Sequence, residues 1–357
     1  MQKKTVAVLF GGVSSEHDVS RISVTSVLRH LDPEKYTIVT VGITKDGRWL
    51  LYSGDIDRIA NGDWERDPDN RTAFLTPDPT VKGLLVLQEG GRETVLPIDV
   101  VFPVLHGKNG EDGTLQGLLQ MNGIPFVGCD LLSSATCMDK ASTNILLAAA
   151  GVPQAEFLWL YSIDYEKRKE EILREIHGRL KGYPVFVKPA NAGSSVGVSK
   201  VHEESELDTA VAKAAKEDGR IVIEEGIIGQ EVECAVLGNE EPRASVVGEI
   251  ATDADFYDYE DKYINGTSKL YIPARIPEET AEEIRKTAVH AYRSLGCGGL
   301  SRVDFFVRNS DGKIFLNELN TLPGFTSISM YPKLWEHTGL PYGELLDELI
   351  RYALERK

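Results

Sequence analysis

A chain of 357 residues, 42% hydrophobic and 26% charged with 33 glycines, has the length for two or three domains and the composition of an ordinary globular protein with ample core. Its formal charge of −16 excludes a general nucleic-acid or anionic-membrane surface, so an anionic ligand would need a local basic pocket. Four cysteines without a C-x-x-C pair, no run of 18 apolar residues and no leader-like N-terminus fit a cytoplasmic protein with reduced thiols.

Residues 6–10 form an apolar run ending in Gly11-Gly12, the pattern of a buried strand entering a tight turn. Ser14 or Ser15 is placed to cap a helix with Val19, Ile22, Val27 and Leu31 on its apolar face. Glu16 and Asp18 would then occupy the first turn, where negative charge suits the helix dipole. Strands follow over 36–43 and 48–52. Residues 53–80 are polar and dotted with Pro and Gly, and read as a surface excursion. A strand over 98–105 runs into the glycine-rich loop 106–113, and a helix spans 114–121. This alternation predicts an open parallel sheet with ligands beyond the carboxyl ends of its strands, which puts residues 11–17 and 106–111 on one rim.

The pattern changes near Gly128. A helix over 138–150, a strand over 155–160 and a charged helix over 165–180 lead to a strand over 184–188. Loop 189–198 has strand-like runs on both sides and predicts a flap between antiparallel strands. Neither G-x-x-x-x-G-K-[ST] nor G-x-G-x-x-G occurs, so a nucleotide would not bind by either route, and a nicotinamide fingerprint is missing. Gly193–Gly197 matches G-x-S-x-G as a string, but a nucleophile elbow needs a helix after it, and a strand-like run follows. H-E-x-x-H is also absent. After a helix over 205–216 and strands over 221–224, 231–237 and 244–250 comes 251–269, too polar for core and long enough to serve as a lid. A helix over 277–295, a hairpin, and short helices around Leu334 and over 343–354 complete the chain.

The hairpin carries the densest chemistry. Asn309-Ser310-Asp311-Gly312 is a turn signal, and a three-residue loop with Gly312 in the left-handed position pairs Asn309 with Lys313. Counting back sets Asp304 opposite Glu318 and Arg302 opposite Asn320, all on one face. Two opposed carboxylates repel unless a cation lies between them. Mg²⁺ suits such carboxylate and amide oxygens together with phosphate. A solvated acidic face is the competing reading, against which stand Arg302 and the Pro-Gly turn after Asn320. Lys140, Lys188 and Lys262, taken singly, are ordinary surface lysines. Lys188, however, sits between an apolar strand and the flap, at the mouth of a cleft. Glu224-Glu225-Gly226-Ile227 ends a strand whose free edge suits adenine, with a plain charged turn as the alternative. Glu16, His106 and Ser194 each have a local structural reading as well.

Together, GGVSSEHDVS, LHGKNGEDGTLQG, GIPFVG, SSATCMDK, VFVKPANAGSSVGVSKV, YDYEDKY, SRVDFF and NELNTLPGFTSIS, in this order and spacing, resemble the D-alanine–D-alanine ligases of the ATP-grasp superfamily over essentially the whole chain. The resemblance implies a mixed α/β and α+β architecture. An N-terminal open parallel α/β substrate domain over 1–127 would precede two α+β domains, 128–226 and 227–357, that clamp ATP. It implies ATP-dependent joining of two D-alanine molecules through a D-alanyl phosphate, for peptidoglycan and cell-wall synthesis. ATP and two Mg²⁺ ions, replaceable by Mn²⁺, would be the cofactors. The partners would be small-molecule substrates and a second copy in a cytoplasmic homodimer, with no nucleic acid or membrane.

By position, Glu16 would hold the ammonium of the first D-alanine, with His106 at the same subsite. Lys140, Lys188 and Lys262 would contact ATP, and Glu224, Glu225, Ile227 and Glu231 would hold its adenine and ribose. Ser194 and Tyr263 would join Glu16 in a hydrogen-bonded group that closes the lid. Asp304, Glu318 and Asn320 match metal ligands, and Arg302 with the Gly324 N–H matches the oxyanion site. Ser329 with Met330 matches the position of the second carboxylate. Glu225 departs from relatives that carry Lys there. Lys262-Tyr263 favours an amine acceptor, with D-alanine–D-lactate and D-alanine–D-serine ligation as the alternatives.

Overall fold

The computed structural model describes residues 3–251 and 269–356. Its first part runs β1 (Lys4–Gly11), α1 (His17–His30), β2 (Tyr36–Ile43), β3 (Trp49–Tyr52), α2 (Ile56–Asn61), β4 (Arg71–Leu75), β5 (Gly83–Leu87), β6 (Glu93–Pro97), β7 (Val100–Leu105) and α3 (Thr114–Asn122). These strands form one sheet in the order β6-β5-β4-β3-β2-β1-β7. β1 is parallel to both β2 and β7, and its apolar run is fully buried between them. The expected parallel sheet is therefore these three strands; β3 to β6 extend it antiparallel.

Residues 53–80 are accordingly not a surface excursion. Ile59, Trp64, Ala73 and Leu75 are buried, and Trp64 packs edge-on against Phe10 at 4.7 Å between ring centroids. The apolar residues there stand singly among polar ones, so average polarity hid them. α1 also begins later than expected. Ser14 Oγ accepts from the Glu16 N–H at 2.9 Å and donates to the His106 carbonyl at 2.8 Å, tying two loops together instead of capping the helix. Ile22 is 51% exposed, off the buried face.

The middle of the chain runs α4 (Leu131–Met138), α5 (Lys140–Ala149), β8 (Phe157–Tyr161), α6 (Tyr165–Gly178), β9 (Val185–Pro189), β10 (Ser199–Val201), α7 (Leu207–Ala214) and β11 (Arg220–Glu225). Its sheet, β10-β9-β11-β8, is antiparallel and packs Val185, Val187, Ile221 and Ile223 against α6 and α7 in a core of its own. The expected flap joins β9 to β10. Ser194 (φ 51°) and Ser195 (φ 59°) hold left-handed conformations there that non-glycine residues adopt rarely.

The last part runs β12 (Gly229–Gly238), β13 (Arg243–Ala251), β14 (Lys269–Tyr271), α8 (Glu278–Ser294), β15 (Gly299–Arg308), β16 (Ile314–Asn320), α9 (Met330–His337) and α10 (Tyr342–Glu355), with the sheet β14-β13-β12-β15-β16. α8 covers one face. α10 buries Leu345, Leu346, Leu349, Ile350 and Ala353, one helical stripe, in a core shared with Val6, Val8 and Phe102 of the first sheet and with Leu237, Leu300 and Trp335. The first and third sheets thus share one continuous core, while the middle sheet has its own. A cleft lies where the middle sheet faces the third.

The β15–β16 register agrees with expectation at Arg302↔Asn320 and Asp304↔Glu318, but by a different route. The Arg308 N–H donates to the Lys313 carbonyl at 2.9 Å, so the loop has four residues, 309–312. Beyond it Phe305 faces Leu316 and Asp304 faces Glu318, which leaves Asn317 as an extra, bulged residue. One residue more in the loop and one more in the strand cancel. The bulge has a chemical consequence: Ile314, Leu316 and Leu319 all point into the core while Glu318 and Asn320 stay on the face of Asp304.

Candidate active site

Across β12, β15 and β16 the register lines up Glu233, Asp304 and Glu318 in one row. Three adjacent acids need a cation, and the chain supplies one. Arg302 Nε and Nη2 each donate to Asp304 at 2.7 Å, and Nε lies 3.0 Å from Glu233 Oε2. Burial works against the guanidinium charge, but Asp304 and Glu233 outweigh it and hold Arg302 protonated. Asn320 Nδ2 donates to Asp304 at 2.9 Å. Among the described residues no group of three or more His, Cys, Asp or Glu forms an all-protein metal cage. Asp304, Glu318 and Asn320 nevertheless offer two carboxylates and an amide oxygen, a donor set that fits a hard cation taking its other ligands from phosphate and water.

Glu16 stands at the carboxyl end of β1, 6% exposed. Its Oε1 accepts from Ser194 Oγ at 2.5 Å, joining the rim of the first sheet to the flap of the middle one. Gly107 holds a left-handed φ of 69°, and a Cβ there would displace Glu16 Oε2. His106 ends β7. Its Nδ1 lies 3.0 Å from the Leu322 carbonyl and its Nε2 3.2 Å from Ser23 Oγ, so both ring nitrogens have protein partners. Burial pushes its pKa down, with Glu16 opposing, which fits a neutral ring donating at Nδ1 and accepting at Nε2. His106 therefore fastens the Glu16 rim to the loop after β16.

A cleft of about 560 Å³ opens between β9 and β11 on one side and β12, β15 and β16 on the other. Phe186 and Phe306 give it apolar walls, while Lys140, Lys188, Glu224, Glu225, Ile227, Glu231 and Glu318 line it as well. Lys188 Nζ lies 2.5 Å from Glu224 Oε2. Lys140 Nζ donates to the flap carbonyl of Ala192 at 2.7 Å; burial pushes its pKa down, with Glu318 opposing. The Glu225 carboxylate is taken by Lys181 at 2.7 Å. In the loop between β16 and α9, Ser329 Oγ accepts from the Thr326 N–H at 3.0 Å and lies 2.8 Å from where a Cβ on Gly324 would sit. Met330 is 5% exposed, its side chain in the core against Gly248, so only its backbone is available to a ligand. Lys262 and Tyr263 lie outside the described residues.

The D-ala D-ala ligase N-terminus family model matches residues 5–129 and the D-ala D-ala ligase C-terminus model matches residues 146–351. The chain belongs to the D-alanine–D-alanine ligase family. It is 51% identical to the D-alanine–D-alanine ligase of Acetivibrio thermocellus over 99% of this chain and 96% of the relative. With the ligase of Caldicellulosiruptor bescii the identity is 50%, over 100% and 96%. Among solved structures, the VanG D-Ala:D-Ser ligase from Enterococcus faecalis is similar with a TM-score of 0.89 at 43% identity, covering 99% of this chain and 100% of that one. The D-alanine-D-alanine ligase from Coxiella burnetii gives 0.87 at 36%, covering 100% and 95%. These are ATP-grasp ligases, ATP-dependent enzymes, and the architecture of the chain is theirs.

Three ligase residues beside these groups were not singled out from the sequence. Glu233 follows Glu231 at the strand period of two, a usable signal once β12 is placed beside β15. Asn144 lies one helical turn beyond Lys140. Glu111 sits in the glycine-rich loop, its Oε1 accepting from the Gly107 N–H at 3.0 Å. Burial, then the nearby Glu16 charge, with Glu318 adding to it, push its pKa up to about 8.

Proposed function

We propose that the chain joins two D-alanine molecules into D-alanyl-D-alanine, using ATP and releasing ADP and phosphate. The observation that carries this reading is that Ser194, bonded to Glu16, and Glu318, at the end of the Glu233–Asp304–Glu318 row, both line one cleft. An amine does not displace oxide from a carboxylate at neutral pH, so the carboxylate must be activated. A carboxylate oxygen of the first D-alanine attacks the γ-phosphorus of ATP, the bond to ADP breaks, and an acyl phosphate results. Lys140 and Lys188 are placed to neutralise the phosphates. The amine of the second D-alanine, after losing a proton, attacks the acyl carbon, and the C–O bond to phosphate breaks.

In this reading Glu16 holds the first ammonium, and Arg302 with the Gly324 N–H receives the oxyanion, the contribution that electrostatic preorganisation makes largest. Ser329 and the Met330 N–H, at the start of α9, receive the second carboxylate. Ile227, Glu225 and Glu231 border the adenine and ribose. Asp304, Glu318 and Asn320 would hold Mg²⁺, which when bound supplies positive charge to the polyphosphate. Lys262 and Tyr263 would act from the lid, excluding water that would hydrolyse the acyl phosphate. The division at residues 127 and 226, and a homodimer, belong to the same reading.

Among the described residues no helix is long and apolar enough to cross a membrane, and soluble amino acids and ATP suit such a chain. The likeness to a D-Ala:D-Ser ligase makes D-serine the acceptor to compare. Steady-state product formation with D-alanine, D-serine and D-lactate as second substrate tests the reading. D-Alanyl-D-alanine is the expected main product; a faster reaction with D-serine or D-lactate at pH 7 overturns the acceptor assignment.

A further inference from the structure

α5 presents two residues to the cleft, Lys140 at its first position and Asn144 four residues on, one turn along the same face. The helix is anchored at that end from several sides. The Asp139 side chain caps it by accepting from the Ser142 N–H at 2.7 Å, and the Lys140 N–H donates to the Ala190 carbonyl at 2.8 Å. Arg220 of β11 donates to Asp139 at 3.0 Å and to Ser142 at 3.1 Å. Asn144 is 6% exposed, and its own carbonyl accepts from Gln154 Nε2 at 2.7 Å. Its position is therefore set by β11, by the loop that follows β9 and by Gln154 ahead of β8.

From there Asn144 Nδ2 donates to Glu224 Oε1 at 3.0 Å, while Lys188 Nζ donates to Glu224 Oε2 at 2.5 Å. Glu224 is 8% exposed, so each oxygen needs a donor. With an amide on one oxygen and an ammonium on the other, the carboxylate plane is fixed. Without the amide, that plane turns about a soft terminal torsion. An ammonium has three N–H groups, and the one held by Glu224 sets the direction of the other two. Residue 144 must then be a neutral donor of this length. An aspartate would set a second carboxylate against Glu224, a lysine would compete with Lys188 for it, and a leucine would leave a buried oxygen without a partner.

We propose that Asn144 is a positioning residue for the nucleotide: it orients the Glu224 carboxylate so that the Lys188 ammonium is aimed at ATP. It acts through Glu224, apart from the D-alanine subsites and the reacting atoms. The inference rests on reading the cleft as the ATP site, and it adds a specific dependence to that reading.

Titration calorimetry of the full-length chain with Mg²⁺-ATP and with ADP, D-alanine omitted, tests it together with steady-state kinetics. Asn144→Leu keeps the volume and Asn144→Ala removes it. Both are expected to raise the ATP and ADP Kd about tenfold, the effect of losing one hydrogen bond to a buried charge. KM for ATP should rise in parallel, while the KM for D-alanine stays within about twofold. In a Glu224→Gln background, Asn144→Ala should add less than about twofold, because the two residues act as one unit. Unchanged nucleotide Kd in Asn144→Leu, or a full additional loss in the Glu224→Gln background, would overturn the proposal. So would equal damage to both KM values and kcat, the pattern of a purely structural residue. A wild-type chain that binds no ATP would instead overturn the reading of the cleft, and that result needs no variant.

Discussion

The two ends of the cleft are built on different principles. At the hairpin end the polar groups come from neighbouring strands of one sheet, and one arginine serves two acids in a row of three. At the other end Lys188, Glu224 and Asn144 come from β9, β11 and α5, and each is fixed by a partner on a different element. The first arrangement is set by strand register and fails as a whole if the register moves. The second is set by packing between elements and should fail one contact at a time.

Inserting one alanine between Glu318 and Leu319 would break the hairpin end most completely. With one residue added there, the strand beyond it changes faces, so Leu319 would enter the cleft and Asn320 would enter the core. Phosphate release should fall to background and urea unfolding should show a large loss of stability; an active, stable insertion variant would contradict the strand register.

Arg302→Met comes next. Asp304 and Glu233 would be left facing each other, with side-chain exposures of 13% and 8%. Breaking such a pair destabilises by roughly 3–5 kcal/mol, and losing an oxyanion donor lowers kcat about 10²–10³-fold. Adding Asp304→Asn should restore part of the stability and none of the turnover, which urea melts and phosphate assays would resolve.

How much of this was legible in the sequence depends on how local each feature is. Arg302, Asp304, Glu318 and Asn320 were readable because a hairpin converts sequence spacing into register; the loop length and the bulge were both misjudged, and their errors cancelled. Trp64 and β4 were lost to averaging, since one buried side chain among six polar ones leaves little periodic signal. The Ser194–Glu16 contact spans 178 positions, and neither residue's neighbours announce the other, so only the family resemblance suggested it. Asn144 was passed over although Lys140 was not: its partner lies 80 residues away.

Ser194→Ala should have a smaller effect than either hairpin change. A hydrogen bond to a charged group contributes about 1.5–3 kcal/mol, so thermal melts should show a modest fall in Tm, and the KM for the first D-alanine should rise because Glu16 loses the contact that holds it. An unchanged KM would remove the flap from the substrate site.

The effect smallest per pH unit concerns Glu111, whose pKa is pushed up to about 8. Between pH 4.5 and 8 the folded chain keeps a proton there that the unfolded chain has lost. Stability contributed by this group is therefore complete below the ordinary value and declines as pH rises through that window, by less than about 1.4 kcal/mol per pH unit. With EDTA present and nucleotide omitted, the wild-type Tm should fall relative to Glu111→Gln from pH 5 to pH 8 and run parallel to it above. Parallel curves throughout would show that Glu111 ionises normally.

The central claim is that one cleft first phosphorylates a D-alanine carboxylate and then passes its acyl group to an amine. D-Alanine carrying ¹⁸O in both carboxylate oxygens tests this most directly. The phosphate released with each D-alanyl-D-alanine is expected to contain one ¹⁸O atom, transferred with the leaving group. Phosphate free of ¹⁸O would mean that water, not the carboxylate, receives the phosphoryl group, and would contradict that claim.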